Sequence, residues 1–493
     1  MRRIESQPRL SPVLPQVVGN ADYARTEQLL LRIDSLLLTS GVEAEFIRDW
    51  VEGGERPLSP LERDAAIPRA RQALRSTLLR SLTRQSFRAL ARDIAGMPLY
   101  QWFCQVDRFP VVRPPSKSAL SQYEKAVSVE FIRKLNDLLI QAAAGKTAHK
   151  ALELERALDL DAFFSDSTCV EVNIHFPVDW VLLRDAVRTL TKAIDLIRDS
   201  GLVRRMPAPA LFRRHMNRAC IDMTHCHHSV NSKKRRKAIL RNMKRLTRGV
   251  QRHARTYRDA LAVRWAETTL THNEALRVIE RLDSILRQLP TALHQAHERI
   301  IGERPVPNEE KIFSLYEPDT QILIRGKAGG QVEFGNTLLL CEQPQGVIVH
   351  FELFRDQPPA DARLAPGVAK RLVAVFPHLT QAKVKPAFVT DRGFHSKTIA
   401  QDLDPVFFNA VASKSPAEFK NQCRSKRFRD AQTRRSQTEA RVSIVKRCFI
   451  GDPILSKGFE HQSLHVAWAV LAHNLWVIAR LPKAEVKRHR KAA

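Results

Sequence analysis

Asp391 closes a short, continuously apolar run, Ala387-Phe-Val-Thr, and an Arg-Gly turn follows it. Asp166 lies inside the segment Leu158–Ile174, which is rich in β-branched and aromatic residues. Glu439 falls on a helical stretch in which Val442 and Lys446, at i+3 and i+7, share its face. A carboxylate at the end of a buried strand loses several kcal/mol of hydration unless it is paired or holds a metal. Taken alone, each of the three reads as a loop acid or as half of a structural ion pair. Taken together, two strand acids and one helix acid are the set that Mg²⁺-dependent phosphoryl transfer requires. Mg²⁺ prefers carboxylate and water oxygens, and a pair of ions can clamp the attacking and leaving oxygens.

The charge balance supplies the partner for such chemistry. Eighty Lys and Arg against fifty-two Asp and Glu leave a formal net charge of +28 on 493 residues. An excess of this size points to a polyanion, because each neutralised phosphate releases counterions. It is also unevenly placed. Between Arg204 and Arg258 there are 17 Lys or Arg and one acid, Asp222. This block includes the run Lys233, Lys234, Arg235, Arg236 and Lys237. A helix solvated for stability mixes its signs, and this one barely does, so the run is assigned to phosphate contact. A second basic stretch, Lys420 to Arg447, has ten positive residues against Asp430 and Glu439, and it surrounds the third acid.

The elements that must position these groups follow from hydrophobic periodicity. Residues 1–24 read as a loose leader and 25–150 as an all-α N-terminal domain, for DNA binding or dimerisation. There Leu29, Leu30, Ile33, Leu36 and Leu37 form a buried stripe, and Ser116 or Ser118 caps a later helix. Thr168, Val170, Val172 and Ile174 alternate as a strand does. Helical periodicity then returns over 178–305 as a basic insertion. Strands are expected over Thr320–Ile324, Val332–Cys341, Gly346–Phe354, Ala387–Thr390 and Val406–Val411. Helices are expected over Val368–Phe376, Thr433–Phe449 and Leu464–Ile478, and 481–493 is a basic tail. The fold class is therefore α/β: a core of 151–177 and 306–480 with a long helical insertion, preceded by helices.

Several passages, in order, resemble bacterial insertion-sequence transposases of the DDE class, within the RNase H-like (retroviral-integrase) superfamily. Asp166-Ser-Thr-Cys-Val-Glu-Val-Asn-Ile-His-Phe-Pro resembles the first-acid strand. Arg325-Gly-Lys-Ala-Gly with Val332-Glu-Phe-Gly resembles the second-strand region, and Thr390-Asp-Arg-Gly-Phe the second-acid turn. Arg435-x3-Glu439-x6-Lys446 matches a Y-x2-R-x3-E-x6-K signature, with Gln432 where the tyrosine is expected. The likeness covers about residues 80–480.

It implies an RNase H-like mixed-sheet core in which Asp166, Asp391 and Glu439 are catalytic and hold two Mg²⁺ or Mn²⁺ ions. Arg435 and Lys446 would contact phosphates near the cut. The implied activity is strand cleavage and strand transfer at the terminal inverted repeats of an insertion sequence. A dimer or higher assembly on double-stranded DNA would bring two ends together. The rivals are a decayed or repurposed DNA-binding copy and a hydrolytic nuclease of the same fold.

Other signals are weaker. Glu171, His175 and Asp179 lie in or near the first-acid passage as candidates for a supporting role, whereas Glu317 and Asp319 read as solvated loop acids. Cys220, His225, Cys226, His227 and His228 invite a zinc reading, but adjacent residues of a regular helix cannot present three ligands to one ion. Seven scattered cysteines without a CxxC favour a reducing cytosol, and the resemblance implies a bacterial one, beside the nucleoid. Val466–Ala479 is shorter than the roughly 20 residues that a membrane span needs, so no membrane association is expected.

Overall fold

The computed structural model of the chain describes residues 14, 16–54, 56–106, 111–145, 147–226, 231–327, 330–396, 398–403 and 406–484. The basic tail beyond 484, most of the leader, and His227 and His228 lie outside the described residues. Two compact units emerge: Met1–Glu171 with Asn336–Ala493, and Val172–Gly335.

The strands are β1 (Ala162–Glu171), β2 (Gln321–Lys327), β3 (Gly330–Glu342), β4 (Ile348–Leu353), β5 (Ala387–Thr390) and β6 (Phe408–Val411). In the first unit the sheet runs β4-β3-β1-β5-β6. β3 and β4 are antiparallel, whereas β1, β5 and β6 are parallel to one another. This is a mixed sheet in an α/β unit. β5 is a continuously buried run, as expected for a parallel strand covered on both faces. β3 is long enough to pair twice: Gly330–Gly335 with β2, and Leu338–Glu342 with β4.

The helices of the N-terminal third belong to this same unit and do not form one of their own. The reason is the C-terminal helix, Phe459–Ala479, which is buried almost all round and so acts as a central post. It packs against the helices Ala21–Thr39, Pro60–Thr83 and Val129–Ala144, and against β4. Asn474 on this helix takes the place of a neighbouring strand. Its Oδ1 accepts from Ile348 N at 2.8 Å and its Nδ2 donates to Ile348 O at 2.7 Å, satisfying an edge residue of β4. Farther out, Arg75 is buried between Glu43 and Asp34, at 2.6 and 2.5 Å. Of the two serines expected to cap the helix Lys117–Lys125, Ser116 does so, accepting from Ala119 N at 3.2 Å.

The second unit is a helical bundle with a hairpin. Helices Asp179–Asp199, Pro209–His225, Ser232–Arg264 and His272–His297 enclose one apolar core around Leu183, Leu190, Ile194, Met243, Tyr257 and Leu289. Thr271 and Glu274 form a capping box at the start of the fourth helix. A π-helical turn, Glu298–Gly302, continues that helix.

All seven cysteines are free thiols. Among the described residues no helix is long and apolar enough to cross a membrane.

Candidate active site

The parallel register of β1 and β5 decides where the first two acids stand. Phe163 is level with Phe388, and Phe164 with Val389. Two residues further along the same register, Asp166 is level with Asp391. Because side chains alternate, both acids fall on the sheet face that carries Phe164 and Val389. That face is closed by Phe428, with Ala431 and Phe419 around it. Phe428 and Ala431 belong to the helix Lys426–Ile444, which therefore lies across the ends of β1 and β5.

Gln432 pins that helix to the sheet. Its Nε2 donates to Thr390 O at 3.1 Å and to Ala410 O at 2.6 Å, at the ends of β5 and β6. The amide at the expected tyrosine position thus ties the helix to the strand that delivers Asp391. Arg435 and Glu439, three and seven residues on, share the face of Gln432. Arg435 pairs with Glu439 at 3.7 Å.

The three acids share one electrostatic field. Asp166 has its carboxyl pushed up to about 6, mainly by burial, with Asp391 and Glu439 repelling its charged form. The Ser167 N–H, 2.8 Å from Asp166 Oδ1, and the Arg435 guanidinium pull the other way without prevailing. Asp391 Oδ1 accepts from Gly393 N at 2.8 Å. Gly393 is hemmed in, because a Cβ there would meet Asp391 Oδ1 at 3.0 Å and Asp361 Oδ2 at 3.2 Å. Asp361 is therefore a further carboxylate beside the second-acid turn, and sequence reasoning missed it. It opens the helix Asp361–Val375, where an acid looks like an ordinary complement to the helix dipole.

The donor chemistry suits a hard divalent ion, being all carboxylate oxygen. A cation would also relieve the crowding of negative charge that raises Asp166. The side chains are not gathered into a ligand cage, however. Among the described residues no three His, Cys, Asp or Glu converge on one metal position. Glu439 is the outlying member, its side chain 67% exposed and turned to Arg435.

Two further features govern how the Glu439 helix is held. Its regular turns start at Lys426, earlier than apolar periodicity suggested, and they end at Ile444 in a π-helical turn, Val445–Ile450. Lys446 is the second residue of this wider turn. Its side chain is 12% exposed and lies 3.6 Å from Asp452. The second feature is Glu342 at the end of β3, buried against Arg441 at 3.3 Å. Gly346, at φ +86°, leaves room for the same guanidinium: a Cβ there would stand 2.1 Å from Arg441 Nη2.

Burial pushes the Glu342 carboxyl up to about 7, against the pull of Thr438 and Arg441. The folded chain therefore binds a proton here that the unfolded chain releases near pH 4.5. Stability is lost as pH rises from there through about 7. Glu342→Gln, which mimics the neutral acid, should gain on wild type across that window, by at most about 3 kcal/mol. Urea melts at pH 5 and pH 8 check this, and a stability difference that is flat with pH would contradict it.

The remaining candidates fall elsewhere. Glu171 ends β1. In the second unit His175 faces Asp185 at 3.5 Å, and Asp179 is buried with Arg299 at 2.8 Å and Gln295 at 3.0 Å, a structural ion pair. Glu317 is buried, in contrast to the solvated acid expected there. Within the Lys233–Lys237 run, Lys233 and Lys237 pair with Glu303 at 3.7 and 2.8 Å, and Arg236 lies 5.7 Å from the centre of the Trp180 ring. Lys234 and Arg235 are exposed and, among the described residues, have no carboxylate partner. Cys220 and Cys226 are buried in the helical unit.

The chain matches no protein-family model, and comparison with curated proteins and with solved structures finds no match.

Proposed function

We propose that this chain is a DNA transposase of the DDE class, with an RNase H-like core in its first unit, acting at the inverted repeats of its own element. One arrangement carries the reading. Asp166 on β1 and Asp391, the residue after β5, come level when the parallel register is continued, and Asp166 feels the charge of Asp391 and of Glu439 on the helix that crosses them. The order of elements agrees with it: a strand, a helical detour, three antiparallel strands, then helix–strand–helix–strand–helix closing a mixed sheet. The charge of +28 supplies attraction for a phosphate polymer.

In this reading Asp166, Asp391 and Glu439 hold two Mg²⁺ or Mn²⁺ ions. The chemistry such ions supply is Lewis-acid stabilisation of the attacking and leaving oxygens. The chain itself positions and neutralises. Gln432 fixes the helix over the strand ends, and Arg435 offers its guanidinium to a DNA phosphate. Lys446 anchors the following turn through Asp452 and adds positive charge there. A water oxygen attacks the phosphorus at the element end, the P–O3′ bond breaks, and the 3′-oxygen leaves and takes up a proton. That 3′-hydroxyl then attacks a target phosphodiester and displaces its 3′-oxygen. Each step exchanges one P–O bond for another, so no side-chain nucleophile is needed. Two ends must meet, so the working form is a dimer or larger assembly on duplex DNA, in the bacterial cytosol.

The test uses the full chain, Mg²⁺ and labelled duplexes carrying the sequences that flank the gene. The expected products are a cut exposing a 3′-hydroxyl and strands joined to a target plasmid. Cutting without joining would make the chain a hydrolytic nuclease. DNA binding with neither step would make it a repurposed binding protein.

A further inference from the structure

The helix Ser232–Arg264 is 33 residues long, which at 1.5 Å per residue is about 50 Å. Along it Arg241, Arg245, Arg248, Arg252 and Arg255 follow one another at i, i+4, i+7, i+11 and i+14. That spacing holds a single face over about 21 Å. All five are exposed, and among the described residues none is paired with a carboxylate.

Several other basic groups of this unit are neutralised. Lys237 pairs with Glu303 at 2.8 Å, Arg258 with Asp283 at 2.9 Å, and Arg213 with Asp195 at 2.5 Å. The stripe keeps its charge unneutralised, although like charges three and four residues apart weaken the helix.

The stripe is also concave. Arg241, Lys244, Arg245, Arg248 and Arg252, with His297 and Ile301 from the neighbouring segment, line a groove of about 920 Å³. No acid lines it. Lys244 stands at its base with Nζ 3.0 Å from His297 Nδ1, so the ammonium donates and the imidazole nitrogen accepts. Burial, with the neighbouring Arg248, holds the Lys244 ammonium below its ordinary range, against the pull of Glu298.

We infer that this groove is a docking channel for the sugar–phosphate backbone of duplex DNA, held by the arginine stripe and separate from the acid centre. The inference deepens the transposase reading and rests on it for the choice of DNA over other polyanions. Arginine forks match phosphate geometry and track a backbone without reading bases. One strand of a duplex carries a phosphate for about every 3.4 Å of its axis, so a stripe of about 21 Å meets several phosphates as the backbone winds past it.

The test is a salt titration of the full chain on a random 30-base-pair duplex, without divalent ions, so that cutting plays no part. Arg241→Gln, Arg245→Gln, Arg248→Gln and Arg252→Gln together should lower the slope of log K against log salt by about 3 to 4, and weaken binding on the order of 100-fold or more at 0.1 M salt. The charge control, Arg277→Gln with Arg281→Gln and Arg287→Gln, removes exposed positive groups from another helix and should leave the slope within about one unit. A four-fold Arg→Lys variant of the groove, which keeps both charge and helix, should retain the slope.

An unchanged slope in the Gln variant, or an equal loss in the control, overturns the inference. So does tighter binding of double-stranded RNA or of anionic vesicles through the same arginines. A chain that never cuts DNA would sink the transposase reading, while the slope would still decide this one.

Discussion

Asp391→Asn should lower metal-dependent cutting of element-end DNA by about 1,000-fold or more, while DNA affinity stays within about threefold of wild type. The substitution keeps the shape of the second-acid turn, because the Asn side-chain oxygen can still accept from Gly393 N. What it removes is one negative charge beside Asp166, at the end of the next strand. Catalysis by placement of charge depends on that charge, whereas binding draws on basic groups spread along the chain. Single-turnover cutting and a binding titration on the same duplex separate the two effects. Cutting within tenfold of wild type would remove Asp391 from the reacting centre. A parallel collapse of binding would mean that the turn had been damaged instead.

Asp166→Asn should make the chain more stable, not less. The raised Asp166 carboxyl means that the folded state pays for its charge at neutral pH. The folded chain holds this proton up to about pH 6, whereas the unfolded chain releases it near 3.8. Stability therefore falls as pH rises between those values, and an amide escapes the loss. The gain at pH 8, measured by urea melts in a chelator, should be on the order of 3 kcal/mol and should vanish below pH 4. Mg²⁺ should narrow the gap by stabilising wild type alone, as any ligand of the folded state does. A variant less stable than wild type at pH 8 in chelator would show that Asp166 is a structural acid. Stability traded for a charged site is common where chemistry is done.

Some of this was readable before the chain was folded. The run Ala387-Phe-Val-Thr has too few polar atoms to lie at a surface, so an acid ending it had to sit at a strand terminus. The order of strands and helices around it followed from alternation and from the 3.6 period. Helix starts were set too late, at Val368 and Thr433 where the helices begin at Asp361 and Lys426. In the first, Pro366 and Gly367 interrupt the apolar pattern; in the second, Phe428 and Ala431 stand among charged residues, so neither start showed a clear rhythm. The π-helical turn, packed against the C-terminal helix, left no trace in the local pattern of residues.

Asp361 could not be found by spacing either. It meets the Asp391 turn only through tertiary contact with Gly393. The dense run Lys233–Lys237 drew attention away from the sparser arginines that follow it. Glu303, far along the chain, neutralises part of that run, whereas among the described residues no carboxylate pairs with the groove arginines. The N-terminal helices looked separable because what joins them to the sheet, the C-terminal helix, comes more than 300 residues later.

The central claim is that Asp166, Asp391 and Glu439 hold divalent ions together. Mn²⁺ titrated into the full chain at pH 8 and followed by electron paramagnetic resonance tests it directly, since bound and free ions give different signals. Wild type should withdraw up to two ions per chain from the free signal, and Asp166→Asn, Asp391→Asn and Glu439→Gln should each weaken uptake tenfold or more. Uptake equal in wild type and all three variants, or none in wild type, would contradict it.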